Sequence, residues 1–316
     1  MATSSSVNFS MTRNEIITDA LMMIGALGEE QTPENSTLEV ASRALNRLIK
    51  HFENQALHIW KRSEAVVFLQ QEQSSYTLGT GSTDHATETY LEMVTTAAAV
   101  SGASSVSVSS STGVAVSDYI GIVLDDGSLH WATVSGTTAT TISFAATPLT
   151  DDVASGNTLF TYTTKINKPL DIYQARSYLI DGETEYKIQE CSYEEYQALT
   201  SKNVPGASPS QWVYDRKRTN GKLYIYPSLE NVTRYLKITY AKPLEDVDSA
   251  SDEADVPAEW LDYITSQLAL RLFPTYGKLG SAAYQQFYAY CTQLESDVLG
   301  FDNEKTTVSI SPAKSY

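Results

Sequence analysis

Tyr235-Leu-Lys-Ile-Thr-Tyr240 alternates apolar and polar side chains with period two, the pattern of a strand with one buried face. Working outward, Leu223-Tyr-Ile-Tyr226 reads as another strand stopped by Pro227. Asn220-Gly221 precedes it, and both residues accept positive φ, which predicts a hairpin turn. Tyr173 to Ile180, Tyr186 to Gln189 and Gln211 to Tyr214 fit further strands, with a short helix over Ser192 to Leu199.

Upstream lies a composition block. Between Arg62 and Lys165 there are 102 residues without Lys or Arg but with ten Asp and Glu. The net charge is −1 over residues 1–62, −10 over 63–164 and −5 over 165–316, −16 in all. Strand-like runs appear at Glu64 to Gln71, Val114 to Val116, Tyr119 to Leu124, Leu129 to Val134, Thr140 to Phe144 and Leu159 to Tyr162. Asp125-Asp126-Gly127 and Ser155-Gly156-Asn157 read as turns between them. Residues 80–112 are rich in Ser, Thr, Gly and Ala and show no clear strand. Short strands at this spacing predict a small barrel or sandwich.

The two chain ends change period. Thr12-Arg13-Asn14-Glu15 matches a capping box, followed by Ile16, Ala20 and Met23 at helical spacing. Gly28 is the expected C′ residue. Ser36-Thr37-Leu38-Glu39 reads as a second capping box, and Leu38, Ala41, Leu45, Leu48, Phe52 and Ala56 trace one helix face. After an acidic stretch from Glu245 to Asp255, Pro257 opens a helix with the stripe Trp260, Ile264, Leu268 and Leu272, broken by Pro274 and Gly277. A last helix carries Ala283, Phe287, Tyr290, Leu294 and Val298.

The expected class is therefore α+β: helices from both chain ends packed as a helical bundle, with a β-rich barrel or sandwich body inserted between them. The expected parts are residues 1–62 (helix pair), 63–244 (β-rich, with 80–165 as an extra insertion), 257–300 (second helix pair) and 301–316 (extended tail).

Composition excludes several functions. A pI near 4.6 argues against a free-standing nucleic-acid binder held by a basic surface. No apolar run is long enough to span a membrane, and the first residues lack a secretory signal pattern. Cys191 and Cys291 lack metal-ligand spacing and read as free thiols from a reducing compartment. His51, His58, His85 and His130 form no close metal pair, and no nucleophile elbow, zincin or phosphate-loop motif occurs. Carboxylate pairs such as Glu64 with Glu72, or Glu183 with Glu185, lack a glycosidase frame. The expectation is no enzyme, no cofactor and no metal.

Surface candidates remain. Arg216-Lys217-Arg218 is the one basic cluster, beside the predicted hairpin turn. Twenty tyrosines, Tyr284 and Tyr288 among them, offer amphipathic contact area, as does Trp260. Val308, Ile310 and Pro312 alternate in the tail, which suits strand addition to a partner.

The order of these segments resembles a family. Thr12-Arg-Asn-Glu-Ile-Ile-Thr-Asp-Ala-Leu-Met-Met-Ile-Gly-Ala-Leu-Gly28 is similar to the opening of head-to-tail adaptors of short-tailed bacteriophages, also called tail tubular protein A or tail accessory factors. Ala44-Leu-Asn-Arg-Leu-Ile-Lys50, Leu57-His-Ile-Trp60, Leu223-Tyr-Ile-Tyr-Pro227, Ile238-Thr-Tyr-Ala-Lys-Pro243 and Val256-Pro-Ala-Glu-Trp260 carry the resemblance further, as do Leu268-Ala269 and Tyr276-Gly277. Val114 to Trp131 resembles a β-rich segment of longer members. The chain is longer than the smaller adaptors, mainly through residues 80–165.

The resemblance implies a homo-oligomeric ring, usually of twelve copies, that joins the portal protein to the tail nozzle protein. Double-stranded DNA would pass down its channel without tight binding. It implies a virion protein of the neck and tail, made in the bacterial host cytoplasm. Trp260, Tyr284, Tyr288, Arg216, Lys217, Arg218, Val308, Ile310 and Pro312 are the expected partner-binding residues. An acidic channel wall would suit sliding DNA, since each Lys or Arg contact adds attraction to phosphate. The competing expectation is a receptor- or glycan-binding tail protein that uses Trp131 and the Ser/Thr-rich β block.

Overall fold

The computed structural model describes residues 8–28, 30–53, 59–180, 182 and 184–301. The chain divides into two compact units. The described residues up to Lys61 and from Leu244 onward form one, and Arg62–Pro243 forms the other.

In the first unit, α1 (Arg13–Met23) starts at the predicted capping box. The Glu15 amide donates to Thr12 Oγ1, and Thr12 N–H donates to Glu15 Oε2 at 2.8 Å. The helix stops earlier than expected. Gly25, not Gly28, takes the left-handed conformation (φ 69°), and its N–H donates to Met22 O. The second helix, α2 (Asn35–Glu53), begins before Ser36, so the predicted second capping box lies within its first turn.

The predicted α2 stripe is buried through Ala41, Leu45, Leu48 and Phe52, while Leu38 is half-buried and Ala56 lies outside the described residues. Ile16, Ile17, Ala20 and Leu21 of α1 join it in one core. The remaining helices are α3 (Tyr193–Ala198), α4 (Leu261–Tyr276) and α5 (Ser281–Phe301), of which α3 belongs to the other unit. Ile264, Leu268, Ala269 and Leu272 of α4 complete the core, with Leu244 and Val247 of the returning chain. Each large side chain buried there contributes roughly 1.5–3 kcal/mol. Pro274 does not break α4. It sits in the last turn, and Gly277 ends the helix.

The second unit is all strands but for α3. In chain order they are β1 (Arg62–Phe68), β2 (Ser75–Leu78), β3 (Ala86–Thr87), β4 (Leu91–Val94), β5 (Ser105–Ser107) and β6 (Tyr119–Val123). Next come β7 (Leu129–Thr133), β8 (Gly136–Thr138), β9 (Thr141–Ser143), β10 (Thr158–Tyr162), β11 (Asp171–Leu179) and β12 (Glu185–Glu190). The last are β13 (Pro205–Gly206), β14 (Gln211–Asp215), β15 (Gly221–Tyr226), β16 (Ser228–Leu229) and β17 (Arg234–Ala241).

Eight of them form one barrel-like sheet in the order β2-β15-β14-β12-β11-β17-β1-β3. The alternation that opened the sequence reading lies on β17, which pairs antiparallel with β1 on one side and β11 on the other. Leu236, Ile238 and Tyr240 point into the main β core with Val67, Trp212, Leu223 and Ile225. Tyr235 points the other way, into an aromatic seam with Phe68, Phe160 and Tyr162.

The insertion forms a four-stranded sheet (β4-β10-β6-β7) and a three-stranded one (β5-β9-β8) around Val106, Ile120, Ile122, Ile142, Phe144 and Leu159. Phe160 and Tyr162 of β10 belong to the seam, which joins the insertion to the main sheet.

The structure corrects the expected fold class. The α+β arrangement, with helices from both chain ends packed as a bundle, does not hold. Strands dominate the described elements, seventeen against five α-helices, eight of them in one barrel-like sheet. α1, α2 and α4 share one core, but α5 does not complete a terminal bundle, since its Phe287, Leu294 and Val298 are only half-buried against that core. Among its described side chains only Cys291 is buried.

Local readings are corrected too. Val114 to Val116 is no strand: Gly113 (φ 89°) and Ser117 (φ 78°) bracket it, and Val116 is exposed. Residues 80–112 hold β3, β4 and β5, too short to show a period. Asn220-Gly221 is not a two-residue turn. Five residues link β14 to β15, and neither Asn220 nor Gly221 has positive φ. The predicted 301–316 tail lies outside the described residues but for Phe301.

Candidate interaction surface

Among the described residues, no three His, Cys, Asp or Glu side chains are grouped to hold a metal ion. No helix among them is long and apolar enough to cross a membrane. Asp125 accepts from the Ala154 amide and from Asn157 Nδ2, and Asp126 from Ser128, so both carboxylates serve turns. Glu64 and Glu185 both hold Arg176, and Lys237 donates to Glu185 at 2.7 Å. That lysine holds the Glu185 carboxyl below the usual carboxylate range. Glu183 and His58 lie outside the described residues, and His51 is exposed on α2.

His85 and Trp131 occupy the aromatic seam. Their rings stack face to face, and Trp131 Nε1 is buried. An indole covered in this way is no open platform for a sugar ring. His130 faces Thr147 O at 3.1 Å.

The candidate partner residues separate into three groups. Trp260 is 3% exposed and packs edge to face against Trp60 and Phe52, so its area is spent inside the helical core. Arg216, Lys217 and Arg218 are exposed on the β14–β15 loop. Arg216 pairs with Asp171 at 2.6 Å and Lys217 with Asp215 at 3.6 Å, whereas Arg218 has no acidic partner among the described residues. Val308, Ile310 and Pro312 lie outside the described residues.

Tyr284 and Tyr288 stand on α5. Phe287, Cys291, Leu294 and Val298 recur at helical spacing and turn toward α4, where Cys291 Sγ approaches Ser266 O at 3.9 Å. Tyr284 stacks on Phe273 with centroids 4.3 Å apart. Tyr288 is 54% and Tyr290 47% exposed, and Leu299 is exposed beyond them. Tyr290 donates to Asp262 at 3.0 Å, fixing its ring near the helix surface. The α5 stripe read from sequence included Ala283 and Tyr290, both exposed. The buried stripe instead runs through Cys291.

Sequence reasoning passed over a cationic cleft of about 570 Å³ in the helical unit, lined by Asn46, Arg47, Lys50, His51, Asp246 and Arg271. The signal was present in part: Arg43, Arg47 and Lys50 recur at helical spacing on α2. Arg271, more than 200 positions on, is brought there by the packing of α4 on α2.

Comparison with known protein families and with curated proteins finds no match to this chain.

Proposed function

We propose that this protein is a structural, non-enzymatic virion component: a head-to-tail adaptor that assembles as a homo-oligomeric ring between portal and tail nozzle. The observation that carries the reading is α5. A helix of 21 residues buries one described side chain and exposes Tyr288, Tyr290 and Leu299. Helices draw most of their stability from packing an apolar face, and an isolated helix is marginal in water. Tyrosines on such a face supply rigid contact area for another protein. A helix left this open fits a chain completed by assembly. The order of motifs from Thr12 to Gly277 directs that assembly toward the phage neck.

In this reading α5 lies between neighbouring subunits or against the portal, and DNA passes the ring without tight binding. Negative-stain microscopy of the purified protein mixed with its portal tests it. Rings with an open centre are expected, and Tyr288→Glu is expected to abolish them while leaving the thermal midpoint of the free chain unchanged. Absence of any ring or portal complex overturns the adaptor reading. Rings that tolerate Tyr288→Glu remove α5 as the contact.

A further inference from the structure

The cationic cleft carries an inference independent of the adaptor reading. Two of its lining side chains are already spent. Asn46 exchanges hydrogen bonds with the backbone of Val247, at 3.0 and 3.4 Å. Lys50 donates to Glu53, to the Leu244 carbonyl and to Asp246, at 3.0, 2.9 and 2.9 Å. That also occupies Asp246, the one carboxylate lining the cleft.

Three donors remain: the guanidiniums of Arg47 and Arg271 and the imidazole of His51. Arg47 gives one N–H to the Arg43 carbonyl at 3.2 Å. Neither arginine has a carboxylate partner among the described residues. Arg47 and Arg271 line the same opening, and partial desolvation of Arg271 together with the positive charge of Arg47 lowers its proton affinity. Two guanidiniums side by side repel unless an anion lies between them.

We propose that the Arg47–Arg271 cleft binds a phosphate group. Its free donors come from two helices, α2 and α4, and so approach from different directions. A tetrahedral oxyanion can accept from all of them. A planar carboxylate is matched by the fork of a single guanidinium. The group could be a free phosphate or a phosphodiester of a nucleic-acid backbone, and the two sources separate experimentally.

Calorimetric titration of the full chain with sodium phosphate, against sodium chloride at equal ionic strength, provides the test. Parallel arms use a short DNA duplex with hydroxyl ends and oligoglutamate. Phosphate is expected to bind, and Arg47→Gln and Arg271→Gln are each expected to weaken it by roughly 10- to 100-fold, the loss of one charge-assisted contact. Both side chains are exposed, and unchanged circular dichroism and thermal midpoints confirm folded variants. Phosphate binding without duplex binding assigns a free phosphate, and binding of both with shared sensitivity to the substitutions assigns the backbone. No phosphate heat, binding that both variants retain, or oligoglutamate binding with phosphate silent each overturns the proposal. Failure of ring formation leaves it untouched.

Discussion

The imidazole of His85 lies flat on the indole of Trp131, with centroids 3.7 Å apart and planes 3° from parallel. Its Nδ1 also meets the Tyr162 hydroxyl at 2.6 Å. Burial, helped by the positive charge of Lys165, depresses the proton affinity of His85 to about 3. In the unfolded chain the same group titrates near 6.5. The unfolded state therefore takes up a proton first as pH falls. The contribution of His85 is fully present above about 6.5 and is lost progressively toward about 3. Urea midpoints between pH 7 and 4 should fall, and His85→Gln should fall less steeply. An identical pH slope in wild type and variant would sink this account.

Gly121 of β6 supplies the space beneath the same indole. A Cβ there would stand 2.7–2.8 Å from three carbons of the Trp131 ring. Gly121→Ala should force the indole off His85 and cost about 1–3 kcal/mol. Gly136→Ala is the matched control, since nothing lies within 4 Å of its Cβ position. Equal denaturation midpoints for the two variants would show that the ring moves freely.

Thr12 and Ser36 looked alike in sequence, yet only Thr12 caps a helix end. Thr12→Ala should cost about 1 kcal/mol, whereas Ser36→Ala should change stability by under about 0.5 kcal/mol. Chemical denaturation followed by far-ultraviolet dichroism distinguishes them.

Cys191 and Cys291 are both buried, one in each unit. Burial raises the Cys191 thiol and pushes Cys291 up to about 11. Neither should react with a disulfide reagent at pH 8 in the native state, because the thiolate is the nucleophile. Reaction should appear with unfolding, and mass mapping of the labelled cysteine should report which unit opened. Rapid labelling of the native protein at either site would contradict this burial.

Much of the local structure was legible because its signals are strong over short windows. The Thr12–Glu15 box and the period-two run at Tyr235–Tyr240 each need only a few residues to declare themselves. The class was misjudged because helical stripes are long and conspicuous, whereas β3, β5, β8 and β9 span two or three residues and show no period. Gly25 and Gly28 cannot be separated by pattern, since both follow the same apolar stripe. The exposure of α5 was hidden because Phe287, Leu294 and Val298 look like a core face when no partner is specified. Arg271 joins Arg47 only through tertiary packing, which no spacing rule reports.

The pairing of Arg62 with Ala241 across β1 and β17 has a consequence during synthesis. The chain enters and leaves the β unit at adjacent points, and the helices on either side share one core. When α1 and α2 leave the ribosome, their partner α4 is still some 200 residues from being made. At about 5–20 residues per second that is a wait on the order of 10–40 s. Throughout it the apolar faces of Ile16, Leu45 and Phe52 have no α4 to cover them, so the newborn chain should need a chaperone over that interval.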